Sequence, residues 1–146
     1  MEKSPARGAA AALEATAEQG DPEAQFDLGC AYDLGEGVPE DKAEAAKWYR
    51  LAADQDHAKA QYYLGNAYHR IGDGVEEDHA DMVKWFLMAI DTGLEEEGDQ
   101  AEVYFHLGQA YDQGKGVPED KAEAAEYYRL AAELGHVEAQ SKLGEA

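Results

Sequence analysis

Apolar residues recur along the chain at the spacing of one helix face: Ala24, Leu28, Ala31 and Tyr32 stand at i, i+4, i+7 and i+8. A second run, Ala45, Trp48, Tyr49, Ala52 and Ala53, repeats the period and predicts a second helix. Met82, Trp85, Phe86, Ala89 and Ile90 match that run, as do Ala124, Tyr127, Tyr128, Ala131 and Ala132. Between the first two runs lies LGEGVPED. Its glycines allow the left-handed backbone that ends a helix and its proline cannot continue one, so the chain must turn. Asp41 and Asp120 stand three residues before Glu44 and Glu123, the spacing of a capping box that opens the next helix.

The pattern is periodic on a longer scale too. The ten letters GVPEDKAEAA occur at residues 37–46 and again at 116–125. Aligning the segments brings Leu28, Leu64, Leu107 and Leu143 into register at spacings of 36, 43 and 36, so the second unit is enlarged by seven residues. One extra residue falls in HRIGDG and six, EEEGDQ, fall between the second and third units. A fixed period of this size marks a solenoid of stacked units. We read one domain over residues 1–146: a half unit at 8–21, units at 22–57, 58–100 and 101–136, and a terminal half unit at 137–146. Gly29, Gly65 and Gly108 follow the register leucines and would weaken their helices by about 1 kcal/mol each against alanine, unless a partner helix packs close. Trp48, Trp85 and Tyr127 are expected to lie across them.

The segment AQFDLGCAYDLGEGVPEDKAEAAKWYRLAA resembles a Sel-1-like repeat of the tetratricopeptide superfamily, and the resemblance runs almost continuously over residues 22–146. It rests on alanine, leucine-glycine, tyrosine, paired glycines with valine, an acidic cap, Lys-Trp-Tyr and Ala-Ala in fixed order. The second unit departs from it, with Glu76 for proline and Met82, Val83 and Ile90 for alanines, which puts the spacing of units two and three in question. The resemblance implies an all-α fold, a right-handed α-α superhelix of antiparallel helix pairs. It also implies an adaptor that holds a protein or peptide on the concave face of its first helices. The helix positions about 100° from the leucine stripe are Phe26, Cys30 and Asp33, then Tyr62, Asn66 and His69, then Phe105, Gln109 and Asp112. Glu23, Lys59 and Glu102 on the preceding turn, with Arg70 and Gln113 just beyond, extend this patch.

Charge narrows the choice of partner. Twelve Lys and Arg against 32 Asp and Glu give a formal net charge of −20, which repels phosphate backbones and anionic headgroups and argues against nucleic acid. Residues 72–102 hold eleven acids against Lys84 alone, either a solvated face or a steering surface for a basic partner. The alternative to an adaptor is therefore an acidic inhibitor or immunity-type protein that occludes a basic toxin or effector. No run approaches the ~18 apolar residues of a membrane span, so no membrane insertion is expected. Glu14 and Glu18 interrupt the alanine-rich start, which disfavours a secretory leader and suggests a cytoplasmic protein; a leader already removed would instead make it periplasmic or secreted. The half units at the ends offer a route to homo-oligomers.

Chemistry finds little support. Cys30 is the single cysteine, which excludes an intrachain disulfide framework and a cysteine zinc cluster. As a nucleophile it would need a nearby base, and acidic surroundings raise a thiol pKa. GEGVP, GDGVE and GKGVP follow helices and lack the G-x-G-x-x-G spacing of a phosphate loop. His57 and His136 share one repeat position at a turn, His79 stands where Lys42 and Lys121 stand, and no H-E-x-x-H pair occurs. EEEGDQAE lacks the ligand order of an EF-hand. No enzyme activity, catalytic residue, metal ligand or cofactor is expected.

Overall fold

The computed structural model describes the backbone of residues 5–71 and 76–144 and the side chains of 11–69 and 79–144. It is all-helical: α1 (Pro5–Glu18), α2 (Pro22–Leu34), α3 (Lys42–Ala53), α4 (Ala58–Ile71), α5 (Glu76–Thr92), α6 (Glu97–Gln113), α7 (Lys121–Glu133) and α8 (Val137–Gly144), with no strand among the described residues. Each helix packs mainly against its neighbours in sequence, as a solenoid requires. Helices α2, α4, α6 and α8 are the first helices of successive units, and α3, α5 and α7 the second helices.

The turn expected at LGEGVPED forms in the first and third units. Gly35 (φ 70°) and Gly114 (φ 67°) are left-handed C-caps donating to the carbonyls of Ala31 and Ala110, and Gly37 and Gly116 follow at φ 78° and 79°. The matching turn of the second unit lies outside the described residues. Asp41 and Asp120 cap α3 and α7 by accepting from the amides of Glu44 and Glu123, 3.1 Å each. Only this half of the box forms. The cap amides donate instead to Tyr32 O and Tyr111 O at 2.9 Å, which pins each turn to the preceding helix. The second unit's enlargement is largely absorbed into structure: α6 begins at Glu97, so Gly98, Asp99 and Gln100 form an added helical turn.

One expectation is corrected by the packing. The residues over Gly29, Gly65 and Gly108 are Tyr49, Phe86 and Tyr128, one position after those anticipated from the aromatic pattern. A β-carbon at any of the three glycines would stand 2.6 Å from ring atoms. Both neighbours in each aromatic pair are bulky, and periodicity cannot tell which points straight at the partner. Tyr49 and Phe86 are fully buried, each burial contributing on the order of 2–3 kcal/mol.

Consecutive units are tied by a polar clamp. Gln25, Gln61 and Gln140 each donate their side-chain amide to the last turn of the preceding second helix, at Ala17 O, Ala53 O and Ala132 O. In the third unit the equivalent position is Tyr104, which has no side-chain amide, and Gln100 in the added turn donates instead to Leu94 O at 2.5 Å.

Candidate binding surface on the first helices

The starts of α4 and α8 are built from a recurring trio. Nδ1 of His57 accepts from the amide of Ala60 at 3.1 Å, capping α4, while Nε2 lies 2.7 Å from Glu23 Oε2 and the ring stacks on Phe26 with centroids 4.9 Å apart. His136 repeats this in α8: its Nδ1 accepts from Ala139, Nε2 lies 3.1 Å from Glu102 and the ring stacks on Phe105 at 4.4 Å. An Nδ1 that accepts fixes the Nε2–H tautomer, which then donates to the carboxylate. At the corresponding place in unit two, Leu94 replaces histidine and Lys59 replaces glutamate. Lys59 reaches Glu96 at 2.6 Å, and that hydrogen bond raises its pKa.

Beside these substitutions lies a cleft of about 660 Å³ between the N-terminal ends of α2 and α4 and the connector 92–96 with the first turn of α6. Phe26, His57, Ala58 and Leu94 give it apolar and aromatic walls; Glu23, Asp27, Asp56, Glu95, Glu96 and Asp99 add six carboxyl groups to the lining, against the single lysine Lys59. Burial raises the pKa of Asp27, with Glu23 adding to it, and likewise of Asp99, with Glu96 adding. Asp99 Oδ2 is shielded from solvent with no hydrogen-bond partner in the structure.

The expected site residues separate by role. Phe26, Tyr62 and Phe105 are buried, with only 8%, 8% and 4% of their surface exposed. Asp33 is buried and binds Lys42 Nζ at 2.6 Å, while its Oδ2 accepts from the Tyr49 hydroxyl at 3.1 Å. Asp112 repeats the arrangement with Lys121 at 2.7 Å and Tyr128 at 3.3 Å, and the lysine hydrogen bond lowers its pKa. Burial pushes the Cys30 thiol up; its Sγ lies 3.6 Å from the Tyr49 hydroxyl. Asn66 and Gln109 are half-buried and His69 and Gln113 exposed, while the side chain of Arg70 lies outside the described residues. His69 meets His106 across α4 and α6 with ring centroids 4.8 Å apart. Among the described residues no group of three His, Cys, Asp or Glu side chains converges as metal ligands.

Pattern reading missed His106, Asp27 and the cleft wall at 94–99. Lys59, Leu94 and the wall at 95–99 lie where unit two departs from the repeat, and such positions carry no periodic signal. The trio had a legible signal: Glu23 and His57 stand 34 residues apart, as do Glu102 and His136.

The geometry defines a solenoid of antiparallel helix pairs with an acidic cleft at one edge of its first helices. The Sel1 repeat matches residues 22–57, 58–94 and 101–136, and the chain belongs to the Sel1 repeat family. It is similar to the crystal structure of a Sel1 repeat protein from Oxalobacter formigenes, at 35% identity and TM-score 0.78 over 95% of this chain and 54% of that one. It is also similar to c5321, a protective antigen present in uropathogenic Escherichia coli strains displaying an SLR fold, at 42% identity and TM-score 0.74, over 91% of this chain and 27% of that one. The chain thus spans about half of the first relative and about a quarter of the second. No curated protein matches the chain. The Sel1 repeat fold is generally a scaffold for protein–protein interaction, and Sel1 repeat proteins are typically not enzymes. No described helix is long and apolar enough to cross a membrane.

Proposed function

We propose that the chain is a non-enzymatic scaffold that grips a partner protein through a basic segment seated on the edge of its first helices. The acidic cleft carries this reading. Six carboxyl groups line the cleft against one lysine, and the pKa values of Asp27 and Asp99 are raised by burial first and then by Glu23 and Glu96, so an arriving cation offsets that cost as well as gaining attraction. The apolar walls give a lysine or arginine stem a surface to lie on. Glu23, Lys59 and the edge of Phe26 are the positions from the original patch that line the cleft. Asn66, His69 and Gln109 extend the surface along α4 and α6.

The test is titration of a fluorescein-labelled, unstructured lysine-rich decapeptide by anisotropy, with a glutamate-rich decapeptide as control. Asp27→Lys combined with Glu96→Lys should weaken binding of the basic peptide by at least about tenfold. Equal binding by the double variant, or equal binding of the two peptides, would refute the proposal.

A further inference from the structure

The second helices of units one and two carry a feature that unit three lacks. Lys47 and Lys84 stand immediately before Trp48 and Trp85, whereas unit three has Glu126 before Tyr127. That glutamate and Glu133 hold the guanidinium of Arg129 in ion pairs along α7. In unit one the equivalent Arg50 lies over the Trp85 ring of α5, 5.2 Å from its centroid, and the Lys84 ammonium lies 5.1 Å from the same ring. Arg50 thereby spans from α3 to α5.

Beside it, a groove of about 400 Å³ opens between α3 and α4, lined by Ala46, Lys47, Arg50, Leu51, Leu64 and Tyr68. Leu51 is 46% exposed at its edge, and Leu87 on α5 is 37% exposed. The cations there are loosely held. Lys84 makes no ion pair among the described residues, and Lys47 and Arg50 pair along their own helix surface with Glu44 at 3.3 Å and Asp54 at 3.2 Å. Exposed pairs of this kind are worth little and give way to a partner. On a chain of net charge −20, the lining of this groove holds Lys47 and Arg50 and no carboxylate, and Lys84 stands nearby over Trp85.

We propose that this groove docks a short acidic segment of a partner protein carrying a large aliphatic side chain. The aliphatic group sits against Leu51, Leu64 and Tyr68, and the flanking carboxylates meet Lys47, Arg50 and Lys84. Charge complementarity selects the occupant: a basic segment is repelled here and drawn to the cleft on the first helices, so the two faces sort partners by sign.

The probe is a fluorescein-labelled decapeptide of two Glu-Glu-Leu-Glu-Glu units, measured by anisotropy against the whole chain. Control peptides replace the leucines by serine or the glutamates by lysine. The acidic leucine peptide should bind, both replacements should weaken it by about tenfold or more, and raising salt should weaken it further. Arg50→Gln with Lys84→Gln, and separately Leu51→Ser, should each reproduce that loss. All three positions are at the surface, and a circular dichroism melt checks that each variant folds; Lys84→Gln alone serves if the pair does not. Asp27→Lys with Glu96→Lys in the acidic cleft should leave binding intact, which separates this proposal from the preceding one. No binding, loss in the cleft variant alone, or indifference to Arg50→Gln with Lys84→Gln would overturn the proposal. So would concentration-dependent dimerisation in sedimentation that Leu51→Ser abolishes, since the occupant would then be a second copy.

Discussion

The ring of Tyr49 lies directly on the α-carbon of Gly29: a β-carbon there would stand 2.6 Å from both Cδ1 and Cε1 and 3.3 Å from Ala45 O. The absent side chain lets α2 and α3 approach, and Tyr49 fills the space. Gly29→Ala should therefore lower stability by about 1–3 kcal/mol, overpacking outweighing the gain in helix propensity. Gly98 in α6 has nothing within 4 Å of its would-be β-carbon, and Gly98→Ala should raise stability by up to about 1 kcal/mol. Chemical denaturation of the two variants should give opposite signs.

A second close approach separates backbone contact from backbone strain. A β-carbon on Gly116 would fall 2.6 Å from the carbonyl carbon and oxygen of His79 and 2.7 Å from the amide of Ala80, main-chain atoms of α5 that cannot rotate aside. Gly135 has a comparable positive φ, +92° against +79°, with open space around it. Gly135→Ala should cost only the left-handed penalty of about 1–2 kcal/mol, and Gly116→Ala distinctly more. Equal losses in urea melts would mean that the turn does not bear on α5.

The clamps between units contain one gap that design can fill. In unit one Gln25 Oε1 accepts from Gln55 Nε2 at 2.9 Å, and the same amide reaches Gly20 O at 3.0 Å. Gln61 is fully buried, but its Oε1 has no hydrogen-bond partner, and Thr92 occupies the position equivalent to Gln55. Thr92→Gln should supply the donor and raise stability by about 0.5–1.5 kcal/mol, while Gln55→Thr should lower it. Melting temperatures of the pair check both signs.

The parts of the fold that repeat were legible; the parts that make this chain individual were not. Leucine register, paired glycines and the caps at Asp41 and Asp120 recur, and recurrence is what a sequence displays most clearly. The choice between Trp48 and Tyr49 as the residue over Gly29 depends on about 100° of helix rotation, which two adjacent aromatics leave undecided. Asp33 and Asp112 stand on the positions read as a contact face, yet each is drawn to a lysine nine residues on. No periodicity encodes that reach, because it depends on how the turn folds back. The cleft is lined by Lys59 and Leu94, which replace glutamate and histidine, and it appears only once the third dimension brings 23–27 and 94–99 together.

His106 gives the junction of units two and three a pH dependence. Burial lowers its pKa, and His69 at 4.8 Å lowers it further, against the opposing pull of Glu102 and the hydrogen bond with Gln109. A histidine whose folded pKa lies below the unfolded one takes up its proton later in the fold than in the open chain. Its contribution to stability is complete above about pH 6.5 and is lost as pH falls through the unfolded value towards the folded one. In a urea series from pH 7.5 to 5.5, His106→Gln should flatten the decline. In an NMR titration, His69→Gln should move the His106 midpoint upward; an unchanged midpoint would show that the two rings do not sense one another.

Two carboxyl groups of the acidic cleft, Asp27 and Asp99, titrate with the opposite sign. Asp27 and Asp99 have folded pKa values above the unfolded ones, from burial and from Glu23 and Glu96, so the fold holds their protons longer. Their ionisation costs stability as pH rises through that raised range, and salt that screens the carboxylates returns part of it. The same ionisation creates the attraction for a cation. Affinity for the lysine-rich peptide should therefore increase as pH rises from about 4 to 6, along a curve displaced upward from ordinary carboxylates. Asp99→Asn should remove part of that rise and stabilise the free protein. If it instead destabilised the fold, the shielded Oδ2 would be holding the structure together, and the cleft would be a packing feature with no demand for a cation.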